Sequence, residues 1–344
     1  MKRIAKSGIN GGRPIDFVLL WVDGADPAWQ KEKQKWASAD PETDARPQRF
    51  REWGILPYWF RGVEAFAPWV RKVHFVTWGH LPPWLNKDHP KLHIVNHRDY
   101  MPADALPTFN SRALELNLHR IPGLSEQFVY FNDDVLLIRD TVPEDFFIGG
   151  LPRDMLALQP VGANPMNPVM SYSYLNESLA ISRHFTKHER MRAMPGKFFR
   201  VGYPPKYFFY NLLETLFPMY TGFYTVHGPS PLLKSTYEEV WKLEGPLLME
   251  TTRSRFRTRN DVSQYILREW QKQTGRFVPA NLLRDFQYII VTDTSDKSLD
   301  VIRKQKKKTV CLNDSDYLID FENTRKVWVE ALDSILHSPS AFER

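Results

Sequence analysis

Cysteine is nearly absent. Cys311 is the single one among 344 residues, which excludes an internal disulfide and any multi-cysteine zinc site. Its apolar setting, Thr309-Val310-Cys311-Leu312, predicts a buried structural thiol. Long hydrophobic runs are missing too: no stretch nears the roughly 18 continuous apolar residues of a membrane-spanning helix. The opening residues, Met1-Lys2-Arg3-Ile4-Ala5-Lys6, lack the apolar core of a secretory signal, so the expected location is the cytoplasm. Charge of one sign is only slightly in excess. A net +6 suits an anionic substrate, or a peripheral contact with the anionic inner face of a membrane. No basic motif interleaved with aromatics accompanies it, so nucleic acid is not an expected partner. Also absent are Gly-x-Gly-x-x-Gly, a Gly-Lys-Ser/Thr loop, His-Glu-x-x-His and Gly-x-Ser-x-Gly. These gaps remove the dinucleotide, P-loop, zincin and serine-hydrolase readings.

What is present builds a sizeable core, with 42% hydrophobic residues. Aromatics reach 14%, with 11 Trp; such rings stack on sugars, but most pack interiors. Nearly continuous apolar runs at Ile15 to Val22, Lys72 to Trp78, Lys91 to Val95, Gln127 to Phe131 and Lys308 to Leu312 read as buried strands. Asp26 is placed to cap a helix entered at Pro27. Leu114, Leu118 and Ile121 predict a helix over Ser111 to Ile121, and another is expected from Glu322 to about Leu336. Strand–helix alternation predicts an α/β fold with a mostly parallel sheet. Polar residues follow each strand: Asp23, Asn96, Asn132-Asp133-Asp134 and Asn313-Asp314. In open α/β sheets such ends converge on one ligand crevice. Residues 151–218, rich in Met, Pro, Tyr, Phe and Arg without a clean period, read as an inserted lid or acceptor subdomain. Residues 14–150 and 219–338 then form the core around it. The basic run Arg303 to Lys308 reads as a solvated loop.

Several residues could carry chemistry. Asn132-Asp133-Asp134 suits a divalent cation, because hard carboxylate oxygens bind Mg²⁺ or Mn²⁺ and offset diphosphate charge; a plain Asx turn is the alternative. Glu115 and His119, four apart, would share a helical face with Arg112, either as site groups or as an ordinary solvated face. His227, at the end of a β-like run before Gly228-Pro229, is suited to act as a base, although most histidines are structural. Arg253, Arg255, Arg257 and Arg259 alternate. In an extended segment they would make a one-sided phosphate clamp, or a charged edge.

Taken in order, these segments resemble the Stealth family of bacterial capsule and exopolysaccharide sugar-phosphate transferases, which has a eukaryotic relative that makes the precursor of a mannose-6-phosphate tag. Ile15-Asp16-Phe17-Val18 through Trp21-Val22-Asp23-Gly24-Ala25-Asp26-Pro27 is similar to the family's first region. Arg49-Phe50-Arg51 through Phe109-Asn110-Ser111, Leu118-His119-Arg120 and Phe131-Asn132-Asp133-Asp134 is similar to the second. Val226-His227-Gly228-Pro229 onward to Arg257 and Asp261 resembles the third, and Val310-Cys311-Leu312-Asn313-Asp314 the fourth. The resemblance implies a glycosyltransferase-A-like, Rossmann-like nucleotide-sugar-binding fold, and it makes Glu115, Asp134, His227 and Arg257 the catalytic positions. With the strand-end pattern it assigns donor contacts to Asp23, Gly24, Asn110, Arg120, Asn132 and Asn313, and metal ligands to Asp133, Asp134 and Asp314. The implied reaction moves a hexose- or N-acetylhexosamine-1-phosphate from a UDP-linked donor, with Mg²⁺ or Mn²⁺, onto a glycan or lipid-linked glycan hydroxyl. A metal-dependent glycosyltransferase that releases a nucleoside diphosphate would use the same acids, and a non-catalytic carbohydrate-binding protein is the reading from another class.

Overall fold

A computed structural model describes residues 11–37, 51–292, 296–314 and 318–344. Arg49 and Phe50, which open the second matched region, and the segment 1–10 lie outside the described residues. The apolar runs form β1 (Ile15–Leu20), β2 (Val73–Thr77), β3 (Leu92–Asn96) and β4 (Gln127–Phe131), all parallel, in the order β4-β1-β2-β3. Every residue of β1 is buried, because both faces of the sheet are covered. Phe17 and Leu19 point into one core and Val18 and Leu20 into the other. The one carboxylate in β1, Asp16, accepts from Arg71 Nε (2.8 Å) and Ser125 N (2.8 Å) and contacts His74 Nε2 (3.0 Å). Burial would raise its pKa, but these partners hold it at about 2.

β4 runs through only Asn132-Asp133-Asp134 into β5 (Val135–Leu137). A hairpin of β6 (Phe147–Ile148) and β7 (Leu151–Asp154) follows, and then β8 (Ala157–Leu158), which pairs with β9 (Phe223–Tyr224). β10 (Ser230–Leu233) adds to the main sheet antiparallel to β4. β11 (Val278–Pro279) joins β7, while β12 (Phe286–Ile290) and β13 (Thr309–Asn313) pair in parallel, and β13 lies antiparallel to β5. The α/β expectation therefore holds, with one correction. Asn313-Asp314 ends a strand of a second sheet, β12-β13-β5, and not of the main one. The Asn-Asp-Asp segment is the seam between the two sheets.

Asp26 caps α1 (Pro27–Trp36), accepting from Ala28 N (2.7 Å) and Trp29 N (3.1 Å). α2 (Leu56–Phe66) lies so close to β5 that a Cβ on Gly62 would sit 2.6 Å from the Leu137 carbonyl oxygen. The helix expected over Ser111 to Ile121 is shorter than its pattern: α3 spans Ser111–Glu115 and a 3₁₀ turn spans Leu118–Arg120. The Asn117 side-chain amide donates to the Ala113 carbonyl (2.8 Å), which the helix would have given to the Asn117 backbone N–H; that N–H turns to Leu114 O (3.2 Å). Residues 151–218 carry α4 (Pro168–His184), α5 (Lys187–Ala193), α6 (Pro195–Phe198) and α7 (Pro205–Leu213). Then come α8 (Lys234–Arg253), α9 (Tyr265–Gln273), α10 (Asp296–Arg303) and α11 (Phe321–Asp333).

Candidate active site

The C-terminal end of β4 organises the site. In a strand, residues two apart share a face, and Tyr130 and Asn132 are bonded to each other through the phenol and the amide carbonyl. Tyr130 OH also reaches Glu115 Oε1 at 3.2 Å, across from α3. Burial, and then the Glu115 charge, push the Tyr130 pKa well above the ordinary value, so it stays a phenol and donates. Glu115, itself buried, accepts from Ser111 Oγ (3.2 Å) one helical turn earlier, and Ser111 Oγ accepts from Arg257 Nη2 (2.8 Å). The Asn132 amide then faces His227 Nε2 at 3.4 Å, and His227 Nδ1 meets Tyr265 OH at 2.6 Å. With the Asn132 carbonyl turned to Tyr130, its NH₂ donates to Nε2. That assignment favours the tautomer in which Nδ1 gives its proton to Tyr265 and Nε2 is left to accept. Arg257, Ser111, Glu115, Tyr130, Asn132, His227 and Tyr265 form one connected chain.

Asp134 closes the cluster, with Oδ2 3.7 Å from His227 Nε2 and 3.3 Å from the Cys311 thiol, which donates to it. The Asp134 carbonyl accepts from Leu312 N (2.8 Å), so pairing of the second sheet fixes this turn. Cys311 is buried as expected, but it also touches Asp134, a contact its apolar neighbours do not announce. Burial and the neighbouring Asp134 charge keep it a thiol. Asp134 Oδ1 is buried without a hydrogen-bond partner. Asp133 is exposed at the turn between β4 and β5. Partial desolvation by the surrounding protein, with the Asp134 and Glu52 charges, pushes its pKa up to about 7. An orphaned carboxylate oxygen beside an acid reluctant to ionise is a site a cation would satisfy. Asp134, His227 and Cys311 also offer ligand atoms within 4.8 Å of one another.

The other sequence-assigned positions spread out. Asp23 Oδ1 accepts from Ala25 N (2.9 Å) in the turn after β1, and Gly24 O accepts from Gln30 Nε2 (2.9 Å). Asn110 is fully buried; it caps α3 and donates to Asp261 Oδ2 (2.8 Å) and Ser254 O (3.2 Å), tying the Arg257 loop to Glu115's helix. Arg120 is exposed over the Trp241 ring (4.6 Å), just before the N-terminal end of β4, whereas Asn132 follows its C-terminal end. Asn313 Nδ2 donates to Asp314 O (2.8 Å), and Asp314 Oδ1 accepts from Arg51 (3.5 Å). Asn96 ends β3, three strand spacings from β4, or about 14 Å. His119 packs near Tyr237 (5.1 Å) and Trp241 (6.0 Å), where burial lowers its pKa to about 3. It is a structural histidine that does not join Glu115. The arginine comb does not form: Arg253 ends α8 and pairs with Asp104 (2.8 Å), Arg255 lies 4.0 Å over Trp36, and Arg257 alone of the four reaches Ser111. Sequence reasoning missed Ser111, Tyr130 and Tyr265. The spacings Ser111–Glu115 and Tyr130–Asn132 could have suggested the first two; nothing local marks Tyr265.

Residues 49–152 match Stealth protein conserved region 2, and residues 13–39 match conserved region 1. The chain is 39% identical over 333 residues to the capsular polysaccharide phosphotransferase WcwK of Streptococcus pneumoniae, covering 96% of this chain and 99% of that protein. It is 38% identical over 342 residues to the exopolysaccharide phosphotransferase cps2G of Lactiplantibacillus plantarum, covering 97% and 98%. The solved galactosyltransferase LgtC, in complex with donor and acceptor sugar analogues, superposes on 94% of the chain and 98% of its own with a TM-score of 0.41 at 12% identity.

Proposed function

This chain belongs to the Stealth family, and on that premise we propose that it is a transferase moving a sugar-1-phosphate from a nucleotide-sugar, UDP-linked, onto a glycan hydroxyl in capsular or exopolysaccharide synthesis. The observation that carries the reading is the connected cluster at the seam of the two sheets. Glu115, Asp134, His227 and Arg257 come from four separate segments and meet within one set of hydrogen bonds and close contacts. His227, oriented by Tyr265 through Nδ1, takes the acceptor hydroxyl proton at Nε2. The acceptor oxygen bonds to the sugar-proximal phosphorus, and the bond to the nucleoside monophosphate breaks. Arg257, held by Ser111, lends positive charge to the phosphoryl oxygens. Glu115 accepts hydrogen bonds from sugar hydroxyls while its own partners hold it rigid. Asp133 and Asp134, with Asp314 just after β13, would hold Mg²⁺ or Mn²⁺, which supplies charge compensation for the diphosphate when bound.

The test is to incubate the protein with a panel of nucleotide-sugars and a glycan acceptor, and to identify the nucleotide released. A monophosphate together with a phosphodiester ³¹P signal in the product is expected. Release of a diphosphate, with no phosphorus in the product, would replace this reading by an ordinary glycosyltransferase. His227→Gln should fold, bind donor and turn over about 10²–10⁴-fold more slowly. Near-normal turnover in that variant would move the base to Asp134.

A further inference from the structure

The outer face of α7 is built the wrong way round for water. Its inner residues are fixed in the fold: Asn211, fully buried, donates to Leu156 O (2.9 Å) and Phe198 O (2.7 Å), and the Tyr207 ring stacks on Tyr224 at 4.2 Å. The solvent side should then be polar. Instead Phe209, Leu212, Leu213 and Leu216 follow one another at helical spacing and are 58%, 49%, 54% and 76% exposed. Phe217 and Met219 extend the same patch at 48% and 62%. At on the order of 100 Å² each, these six side chains match or exceed the roughly 300–600 Å² of the largest patch on a typical monomer.

The charge around the patch is mainly positive. From Lys187 to Met219 there are six Lys and Arg and two acids, exposed Glu189 on α5 and Glu214. Glu214 is buried and neutralised by Lys187 (2.8 Å). Lys206 is exposed on α7 one turn before Phe209, and Arg200 is exposed next to Val201, itself 91% exposed. His188 contacts Thr215 O (3.2 Å), so α5 runs beside the patch, and exposed Arg192 lies one turn further along that face. The rival basic run is largely occupied: Lys304 pairs with Asp300 (2.5 Å), Lys308 with Asp145 (2.6 Å), and Lys307 donates to backbone carbonyls. Among the described residues no helix is long and apolar enough to cross a membrane.

We infer that the segment α7 to Met219 is a membrane-docking surface that inserts Phe209, Leu212, Leu213, Leu216, Phe217 and Met219 into the interface of an anionic bilayer, with Arg192, Arg200 and Lys206 on the lipid headgroups. An apolar face rimmed by cations is the chemistry of an interfacial helix. The surface is joined to the site, since β9, which carries Tyr224, runs through Thr225 and Val226 to His227. Docking would present the crevice to an acceptor carried on lipid.

Sedimentation with vesicles tests this without any turnover, so its failure leaves the phosphotransfer reading untouched. The full chain should bind phosphatidylglycerol–phosphatidylcholine vesicles far better than pure phosphatidylcholine ones. Leu213→Glu/Leu216→Glu, shown by circular dichroism to be folded, should lose at least about tenfold in affinity. Should that pair fail to fold, Arg200→Ala/Lys206→Ala should lose roughly fivefold per cation at low salt. Absence of binding to anionic vesicles overturns the inference, and so does undiminished binding by the folded variants. A concentration-dependent dimer that Leu213→Glu/Leu216→Glu dissociates would also overturn it, because a second copy would then cover this face.

Discussion

Arg268→Met should cost this protein more stability than almost any other single change to a charged residue. Arg268 is fully buried on α9 and grips buried Asp154 at the end of β7 with two parallel bonds, Nε to Oδ2 at 2.9 Å and Nη2 to Oδ1 at 2.7 Å. Its remaining nitrogen donates to Val226 O (2.7 Å), the carbonyl just before His227. Methionine keeps the aliphatic volume and removes the charge, leaving Asp154 buried with Met155 N (2.7 Å) as its hydrogen-bond donor. Breaking a buried pair from one side costs about 3–5 kcal/mol. Lys272, whose ammonium also favours ionised Asp154, stays in place, so the lower half of that range is expected. At roughly 2 °C per kcal/mol for a chain this large, Tm should fall by about 6–8 °C. The pH dependence separates lost charge from lost packing. Burial acts to raise the Asp154 pKa, but Arg268 and then Lys272 outweigh it and hold it below the ordinary value. The stabilisation is therefore present above the unfolded value of about 3.9 and is lost as pH falls through the lowered folded value. In the variant the lone carboxylate prefers its proton, so the deficit against the parent should shrink as pH drops toward about 4. Arg268→Met/Asp154→Leu should recover much of the loss. A penalty below about 1 kcal/mol at pH 7, or one that does not change with pH or with the second substitution, would refute the reasoning.

Tyr265→Phe deletes only the hydroxyl 2.6 Å from His227 Nδ1; kcat should fall about 10–10²-fold with KM and Tm little changed, whereas an equal fall in Tm and activity would make the residue merely structural. Asp133→Asn, melted in EDTA, should gain stability on the parent as pH rises from about 4 to about 7, hold that full advantage at pH 8 and lose it below about pH 4. The raised pKa of about 7 means that the parent loses stability across that window, and identical pH profiles would remove this account. The same variant should lose Mn²⁺ affinity, read by calorimetry. Excess EDTA should abolish nucleotide release and added Mg²⁺ or Mn²⁺ restore it; full turnover under chelation would leave Asp133 and Asp134 working without a cation.

Local pattern decided a good deal. Continuous apolar runs gave β1, β2, β4 and β13 to within about two residues at each end, because a strand buried on both faces has few other compositions. Asp26-Pro27 marked a helix start, because capping and a preset φ act within one turn. Resemblance to a known family, region by region, singled out Glu115, Asp134, His227 and Arg257 as candidates. Tertiary structure decided which of these residues meet. The order β10-β4-β1-β2-β3 carries Asn96 to the far edge, while antiparallel pairing of β13 with β5 brings Cys311 against Asp134 from 177 positions away. Asn117, by redirecting one carbonyl, ended α3, leaving Glu115 against Tyr130 and His119 half-buried beside Tyr237 and Trp241. Tyr265 reaches His227 from α9, which the Arg268–Asp154 pair ties to β7, and the bare face of α7 is apolar in sequence like any core helix. Periodicity records which side of an element is apolar. Only the packing of the other elements determines whether that side meets protein or is left outside.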